Sequence, residues 1–405
     1  MLRRAMSASQ TRASPTPRVF FLIRSLNRGG AERQLLELVG ELAKKGSSIT
    51  VCTFYDGGAL RGELEAIAGV AVLSLGKRSR WDMTKFLWRL AKAVRHAKPD
   101  VIHGYMPVAN ELALLMAWLY RSGCIFGLRA SNVDFSRYDR LARGVFAFGA
   151  ICSRFADATI ANSEAGREFH TRSGYDPSRM SVIHNGIDCE RFRPDADARR
   201  IVRAEWGATA GERVVGVVAR LDRMKDHLNF IEAAALVKKT HSAVRFICVG
   251  DGPPQYTEQL RSRAAKLGVM IQWVGARDDM PAVYNALDVV VLSSAYGEGF
   301  PNVVGEAMAT GKPAVVTDVG DSATVVGETG LVVPPSDSAA LADAIRNLLN
   351  LPPEGLRARS EATRTRIIVN FSKRQLVDST EKVLFQVAAR RGRKARRLEV
   401  PPLDQ

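Results

Sequence analysis

Short apolar runs alternate along this chain with longer stretches whose apolar residues recur every three or four positions. "RVFFLI" leads into "AERQLLELVGELAKKG", where Leu35, Leu38, Val39 and Leu42 keep helical spacing and Gly46 supplies a stop. "SITVCTF", "VAVLSL", "DVIHGY", "CIFGL" and "DATIANS" follow as strand-sized runs, most of them separated by helix-length segments. A second series begins at "RVVGVVAR" and continues through "VRFICVGD", "MIQWVG", "DVVVLSS", "PAVVTDV" and "GLVVPP". Strand–helix alternation of this kind predicts an α/β fold with parallel sheets covered on both faces. Two series predict two doubly wound, Rossmann-like domains, 18–185 and 186–371, with the boundary near Gly186 in "SVIHNGIDCERFRPDADA". The closing helical stretch, about 372–390, has no strand after it and is expected to pack back on the first domain.

The bulk numbers narrow the class. A chain of 405 residues fits two domains. The hydrophobic share is 46% and the charged share 25%, as in globular proteins. No apolar run approaches the ~20 residues of a membrane-spanning helix. Residues 1–17 lack the apolar centre of a secretory signal and read as a disordered basic leader. Five scattered cysteines with no CxxC pair fit buried thiols in a reducing cytosol. The net charge is +16, and about half of it comes from residues 1–18 and 390–405, the latter including "RRGRKARR"; the basic tail proper is 391–405. Such tails are either solvated or hold the protein on an anionic cytoplasmic leaflet, at ~1 kcal/mol per basic residue. They lack the interleaved aromatics of a single-strand nucleic-acid surface, so no nucleic-acid partner is expected.

In open parallel sheets, ligands bind outside the carboxyl ends of the strands. Three post-strand loops carry candidate chemistry. "LNRGGAERQ" places Gly29 and Gly30 at a helix start, where bare amides suit an anion; on its own the pair also fits a plain turn. "ARLDRMKDH" places Arg220 and Lys225 in one loop, a planar fork and a point charge suited to a diphosphate or, equally, two solvated cations. "EGFPNVVGEAMATG" places Glu298 before a helix and Glu306 within it, with seven residues between. Pro301 suits the first helical position and Gly311 the stop. Val303, Val304, Ala307 and Met308 form an apolar stripe, with Asn302, Gly305, Glu306 and Ala309 opposite. Carboxylates on both sides of an anion site make sense if each accepts hydrogen bonds from sugar hydroxyls that flank the phosphates. The ligand implied is a nucleotide sugar; the plain alternative is a solvated acid pair.

"GGAE", "ARLDRMKDH", "VGDGP", "GEGFPNVVGEAMATGKPAVVTDVG" and "GLVVPPSD", in this order, resemble a family 4 glycosyltransferase of the GT-B fold, with its active site in the cleft between the domains. The resemblance covers about 18–390 and is most specific in the second domain, where the E-x7-E element accompanies R-x4-K. It implies a retaining transfer from a nucleoside-diphosphate sugar, with no metal or other cofactor, to a glycan or lipid-linked acceptor, on the cytoplasmic side and peripheral to the membrane. In that scheme Glu306 binds the ribose hydroxyls and Glu298 those of the donor sugar. Arg220 and Lys225 clamp the diphosphate, assisted by the backbone of Gly299, Phe300, Pro301 and Asn302, and Gly30 approaches from the first domain. Many relatives carry a first-domain His in the loop that here reads "RASN". His103 is the nearby substitute, either catalytic or packed in the core; Arg129 and Asn132 are acceptor-side candidates. A nucleotide-sugar epimerase of the same fold is the alternative, and a basic nucleic-acid-binding protein a more distant one.

Overall fold

The computed structural model describes residues 16–27, 29–78, 82–129 and 140–399; residues 1–15 of the leader, Asn132 and residues 400–405 of the basic tail lie outside these described residues. Strands β1 (Val19–Ile23), β2 (Ile49–Thr53), β3 (Val70–Ser74), β4 (Val101–Tyr105), β5 (Gly123–Leu128), β6 (Ala158–Ala161) and β7 (Met180–Val182) form one parallel sheet, in the order β3-β2-β1-β4-β5-β6-β7. Strands β8 (Arg213–Val218), β9 (Val244–Val249), β10 (Ile271–Gly275), β11 (Val289–Leu292), β12 (Ala314–Thr317) and β13 (Leu331–Val333) form a second, in the order β10-β9-β8-β11-β12-β13. The central strands β1, β4, β5 and β11 are buried at every position, which is why they read as unbroken apolar runs rather than alternating ones.

Both sheets reverse their strand order at one place: between β1 and β4 in the first, between β8 and β11 in the second. Such switch points open a crevice at the carboxyl ends. The loops after β1, β8 and β11 hold Gly29–Gly30, Arg220–Lys225 and Glu298–Asn302, so the topology brings three of the sequence motifs to the crevices.

The chain crosses between domains twice, and the crossings are bonded side by side. Ile187 N–H donates to Phe371 O at 2.8 Å, and Lys373 N–H donates to Ile187 O at 2.9 Å. A Cβ at Gly186 would lie 2.8 Å from Lys373 Cα, so only glycine lets the two strands approach this closely. The last helix, Lys373–Glu399, lays Leu376, Val377, Leu384 and Val387 into the first domain's core against Leu35, Val39 and Ile125.

The structure departs from the sequence expectations in four places. β7 adds a seventh strand to the first sheet; three partly buried residues carry too little periodicity to stand out. The last helix continues through the basic run to Glu399 rather than ending near 390. The segment quoted as the domain boundary runs into a helix, Ala196–Glu205, which Asp195 caps by accepting from Ala198 N–H at 2.8 Å. Pro301 is the N-cap, one residue before the helix Asn302–Ala309.

A buried ionic knot anchors β11. Asp288 accepts from Val214 N–H (2.7 Å), Arg199 (2.7 Å) and Arg203 (3.0 Å). Burial pushes this carboxyl up, but Arg199, the Val214 amide and Arg203 outweigh it and hold it below its ordinary value. Asp288→Ala leaves the buried Arg203 without its carboxylate, and a loss of about 3–5 kcal/mol is expected in urea unfolding. A depressed carboxyl stabilises the fold above its unfolded-state pKa, so the wild-type advantage over the variant shrinks as pH falls through the folded value.

Candidate functional site

The helix Asn302–Ala309 is the centre of the site. It points its N-terminus at the first domain: a Cβ on Gly30 would meet Asn302 Nδ2 at 3.3 Å, and one on Gly299 would meet the Asn162 amide at 3.5 Å. Its N-cap Pro301 has no side-chain cap bond. The amides of Val304 and Gly305 bond back to Pro301 O. Those of Asn302 and Val303 have no protein acceptor among the described residues. A helix N-terminus with free amides favours an anion.

The face of this helix opposite its apolar stripe is not open to solvent. Ala309 is fully buried, and a Cβ on Gly305 would press within 2.9 Å of Ile187 in the crossing segment. The helix is covered on nearly all sides, and Glu306 is its one half-buried charged group.

Glu298 and Glu306 lie on opposite sides of that helix start, each held by a neighbour. Glu298 Oε1 accepts from Ser294 Oγ and from Lys225 Nζ, both at 2.5 Å. Lys225 sits in the short 3-10 turn Arg223–Lys225, shaped by the Asp222 side chain accepting from Met224 N–H. Arg220 of the same loop is exposed and forms no ion pair among the described residues. Beneath Glu298 the loop after β12 comes close: Gly320 has φ 61°, and a Cβ there would fall 2.3 Å from Glu298 O. Only glycine fits that position.

Glu306 accepts from Tyr284 Oη at 2.8 Å and lines a cavity of about 480 Å³ between the domains. Arg33, Gln34 and Glu37 of the first helix face it from one side, and Asp188 and Arg191 from the crossing segment. Burial pushes the Glu306 carboxyl up to about 7, against the lowering effects of Tyr284, Arg191 and Arg33.

The domains are pinned around the site. Asp321, in the second domain, accepts from the amides of Glu164 (2.8 Å) and Ala165 (2.9 Å) at a first-domain helix start, and is bonded to His184 at 3.0 Å. Gln34 pairs its amide with both backbone groups of Gly186. A further chain runs Tyr105–Arg129–Asn185–Asn302: Arg129 donates to Tyr105 Oη (2.9 Å) and Asn185 Oδ1 (3.3 Å), and Asn185 donates to Asn302 Oδ1 (2.9 Å).

The candidates therefore divide. Gly30, Lys225, Glu298, Gly299, Pro301, Asn302 and Glu306 converge on the interdomain crevice, and Arg220 is exposed in the loop after β8 that also holds Lys225. Arg129 reaches it through Asn185. Phe300 contributes only its backbone, because its ring is buried between His184 (5.8 Å) and Phe371 (5.4 Å). His103 is not brought to the crevice: it is wholly buried, packs against Phe21 and Tyr105, and both its ring nitrogens lack hydrogen-bond partners. Burial, with Arg129 nearby, holds it well below its ordinary pKa, so it is a neutral core residue. Sequence reasoning missed Ser294, Tyr284 and Asp321. Ser294 directly follows β11, so the carboxyl-end rule could have found it. Tyr284 sits inside a helix 22 residues before its partner, and no local signal marks it.

Known proteins match both domains. The profile described as "Glycosyltransferase Family 4" matches residues 28–191, and that described as "Glycosyl transferases group 1" matches 212–351. The chain is 26% identical over 313 residues to the putative glycosyltransferase EpsF of Bacillus subtilis, covering 75% of this chain and 80% of that protein. It is 36% identical over 224 residues to a D-inositol 3-phosphate glycosyltransferase of Nocardia farcinica, covering 51% of this chain and about half (49%) of that one. The crystal structure of Anabaena HepE in complex with UDP superimposes with a TM-score of 0.80 at 23% identity, over 91% of this chain and all (100%) of the other. That likeness shows a shared GT-B fold.

Proposed function

Because the chain belongs to the family 4 glycosyltransferases, we propose that it transfers a sugar from a nucleoside-diphosphate donor, with retention at the anomeric carbon. The reading rests on one observation. Two carboxylates stand either side of a helix N-terminus with free amides, one of them paired with a lysine and the other lining a cavity of nucleoside size.

In this scheme the diphosphate sits at the amides of Asn302 and Val303. Glu306 accepts from the ribose hydroxyls in the interdomain cavity, and Glu298 accepts from the donor sugar. Lys225, now bonded to Glu298, has the diphosphate as a second, stronger anionic partner, with Arg220 closing from the edge. Breaking the anomeric C–O bond places negative charge on the departing diphosphate, and cations and amides already in position stabilise that charge as it grows. The chain's own groups suffice for this, so turnover is expected to persist in EDTA. Gly30 keeps the first domain close enough to cover the phosphates. Arg129, tied to Asn302 through Asn185, stands on the acceptor side. The acceptor belongs to surface-polysaccharide or lipid-linked glycan assembly on the cytoplasmic side.

HepE is seen with UDP, which makes uridine donors the first to try. A thermal-shift screen against UDP, GDP and ADP and their glucose conjugates tests the reading. A ligand at one hundred times its Kd adds about 2.7 kcal/mol of stability, so the preferred nucleotide raises Tm by several degrees. No shift with any of them contradicts it.

A further inference from the structure

Two first-domain helices, Ala109–Tyr120 and Arg140–Ser153, carry large apolar side chains outward as well as inward. Leu115, Trp118 and Leu119 share one face of the first. Phe148 and Ile151, with Phe155 just past the helix end, share one face of the second. All six are exposed, Trp118 by 78% and Phe155 by 65%. Between the helices runs an apolar groove of about 630 Å³. Its one acid, Glu111, is pushed above the ordinary carboxylate range by burial. A patch this continuous is unusual on a surface that meets only water.

Cations border it. Arg391 closes one end of the groove and also lines a second concavity, of about 760 Å³, with Arg18, Arg95, Lys98 and Arg121. Arg18 pairs with Asp100 and Arg391 with Asp157. Arg95, Lys98 and Arg121 have no ion-pair partner among the described residues. The last helix itself runs on past Arg391 to Glu399, and its sequence "RRGRKARR" has six cations in eight positions. Apolar side chains flanked by cations, on neighbouring helices, match the two layers of an anionic lipid surface.

We propose that this face of the first domain rests on an anionic bilayer, with Trp118, Phe148 and Phe155 at the headgroup–acyl boundary and the bordering cations against lipid phosphates. A second copy of the chain fits less well, because two-fold pairing of the face would bring its own cations together. None of these residues lines the interdomain cavity, so docking leaves that cavity untouched. The inference does not depend on which donor the cleft takes.

The test is sedimentation of the full chain with vesicles of pure phosphatidylcholine, and with vesicles in which one lipid in three is phosphatidylglycerol. The wild type is expected to partition onto the anionic vesicles only. The triple variant Trp118→Ser/Phe148→Ser/Phe155→Ser and the pair Arg95→Glu/Lys98→Glu should each lower that partition by about tenfold or more. Both should keep the wild-type Tm and UDP thermal shift, which separates a failure here from a failure of the donor assignment. Absence of wild-type binding overturns the proposal. So does binding that the triple variant leaves unchanged, since the tails alone would then account for it. A wild-type dimer that the triple variant turns into a monomer also overturns it, since a second copy would then cover the face.

Discussion

Lys225→Ala is expected to lower kcat by about 10²–10³-fold while changing donor Kd far less. The argument is one of timing. The donor's diphosphate is already anionic when bound, and several amides share it. When the anomeric bond breaks, additional charge arrives on the bridging oxygen, and a point charge already in place is worth most at that moment. The native bond from Lys225 to Glu298 keeps the ammonium from wandering into solvent before the donor arrives. Loss of the lysine does not unfold the loop, because Glu298 retains the Ser294 hydroxyl and the turn retains its Asp222 cap. Steady-state kinetics alongside calorimetry checks this. A raised Kd with unchanged kcat would make Lys225 a ground-state ligand only.

Glu306→Ala is expected to weaken donor binding by about 10–100-fold, the loss of hydrogen bonds to a charged acceptor worth ~1.5–3 kcal/mol. The same residue sets a pH dependence. Its carboxyl is pushed up to about 7 from an ordinary 4.5, so the native state holds a proton that the unfolded chain has released across that interval. A raised carboxyl gives its full stabilisation below the unfolded value. Stability then falls as pH rises between 4.5 and 7, and the penalty is complete above 7. Glu306→Gln removes that slope in a pH series of thermal melts. Donor affinity runs the opposite way, rising through pH 7 as the carboxylate that accepts two hydroxyls becomes populated. A pH-independent affinity with a wild-type value in Glu306→Ala would remove Glu306 from the site.

Much of this arrangement was legible in the residues. Twelve of the thirteen strands among the described residues announce themselves as apolar runs, and the central ones do so because a parallel strand covered on both faces has no polar alternation to hide it. The crevice loops were legible because the carboxyl-end rule needs only strand order. Glu298 and Glu306 stood out as charged residues in otherwise small, apolar company, and Lys225 as a cation that shares with Arg220 a loop following a strand. Long-range partners were not legible. Tyr284, Asp321 and Asn185 act through bonds that span up to 157 positions, and nothing local distinguishes them from ordinary polar residues. His103 illustrates the opposite error: a titratable residue at a strand's end drew attention as chemistry, although Phe21 and Tyr105 on the same sheet face enclose it. The exposed stripe of Trp118, Phe148 and Phe155 was invisible for a related reason, since helical spacing of apolar residues ordinarily marks a core face.

The central claim is that two carboxylates hold the hydroxyls at either end of one activated sugar while Lys225 and the helix amides hold its diphosphate. A crystal structure of the protein with its preferred nucleotide sugar tests it most directly. The account predicts Glu306 oxygens within hydrogen-bonding distance of the ribose hydroxyls, Glu298 within that distance of the transferred sugar, and a phosphate oxygen on the amides of Asn302 and Val303. A donor bound with its ribose away from Glu306, or with its diphosphate remote from the start of that helix, would contradict it.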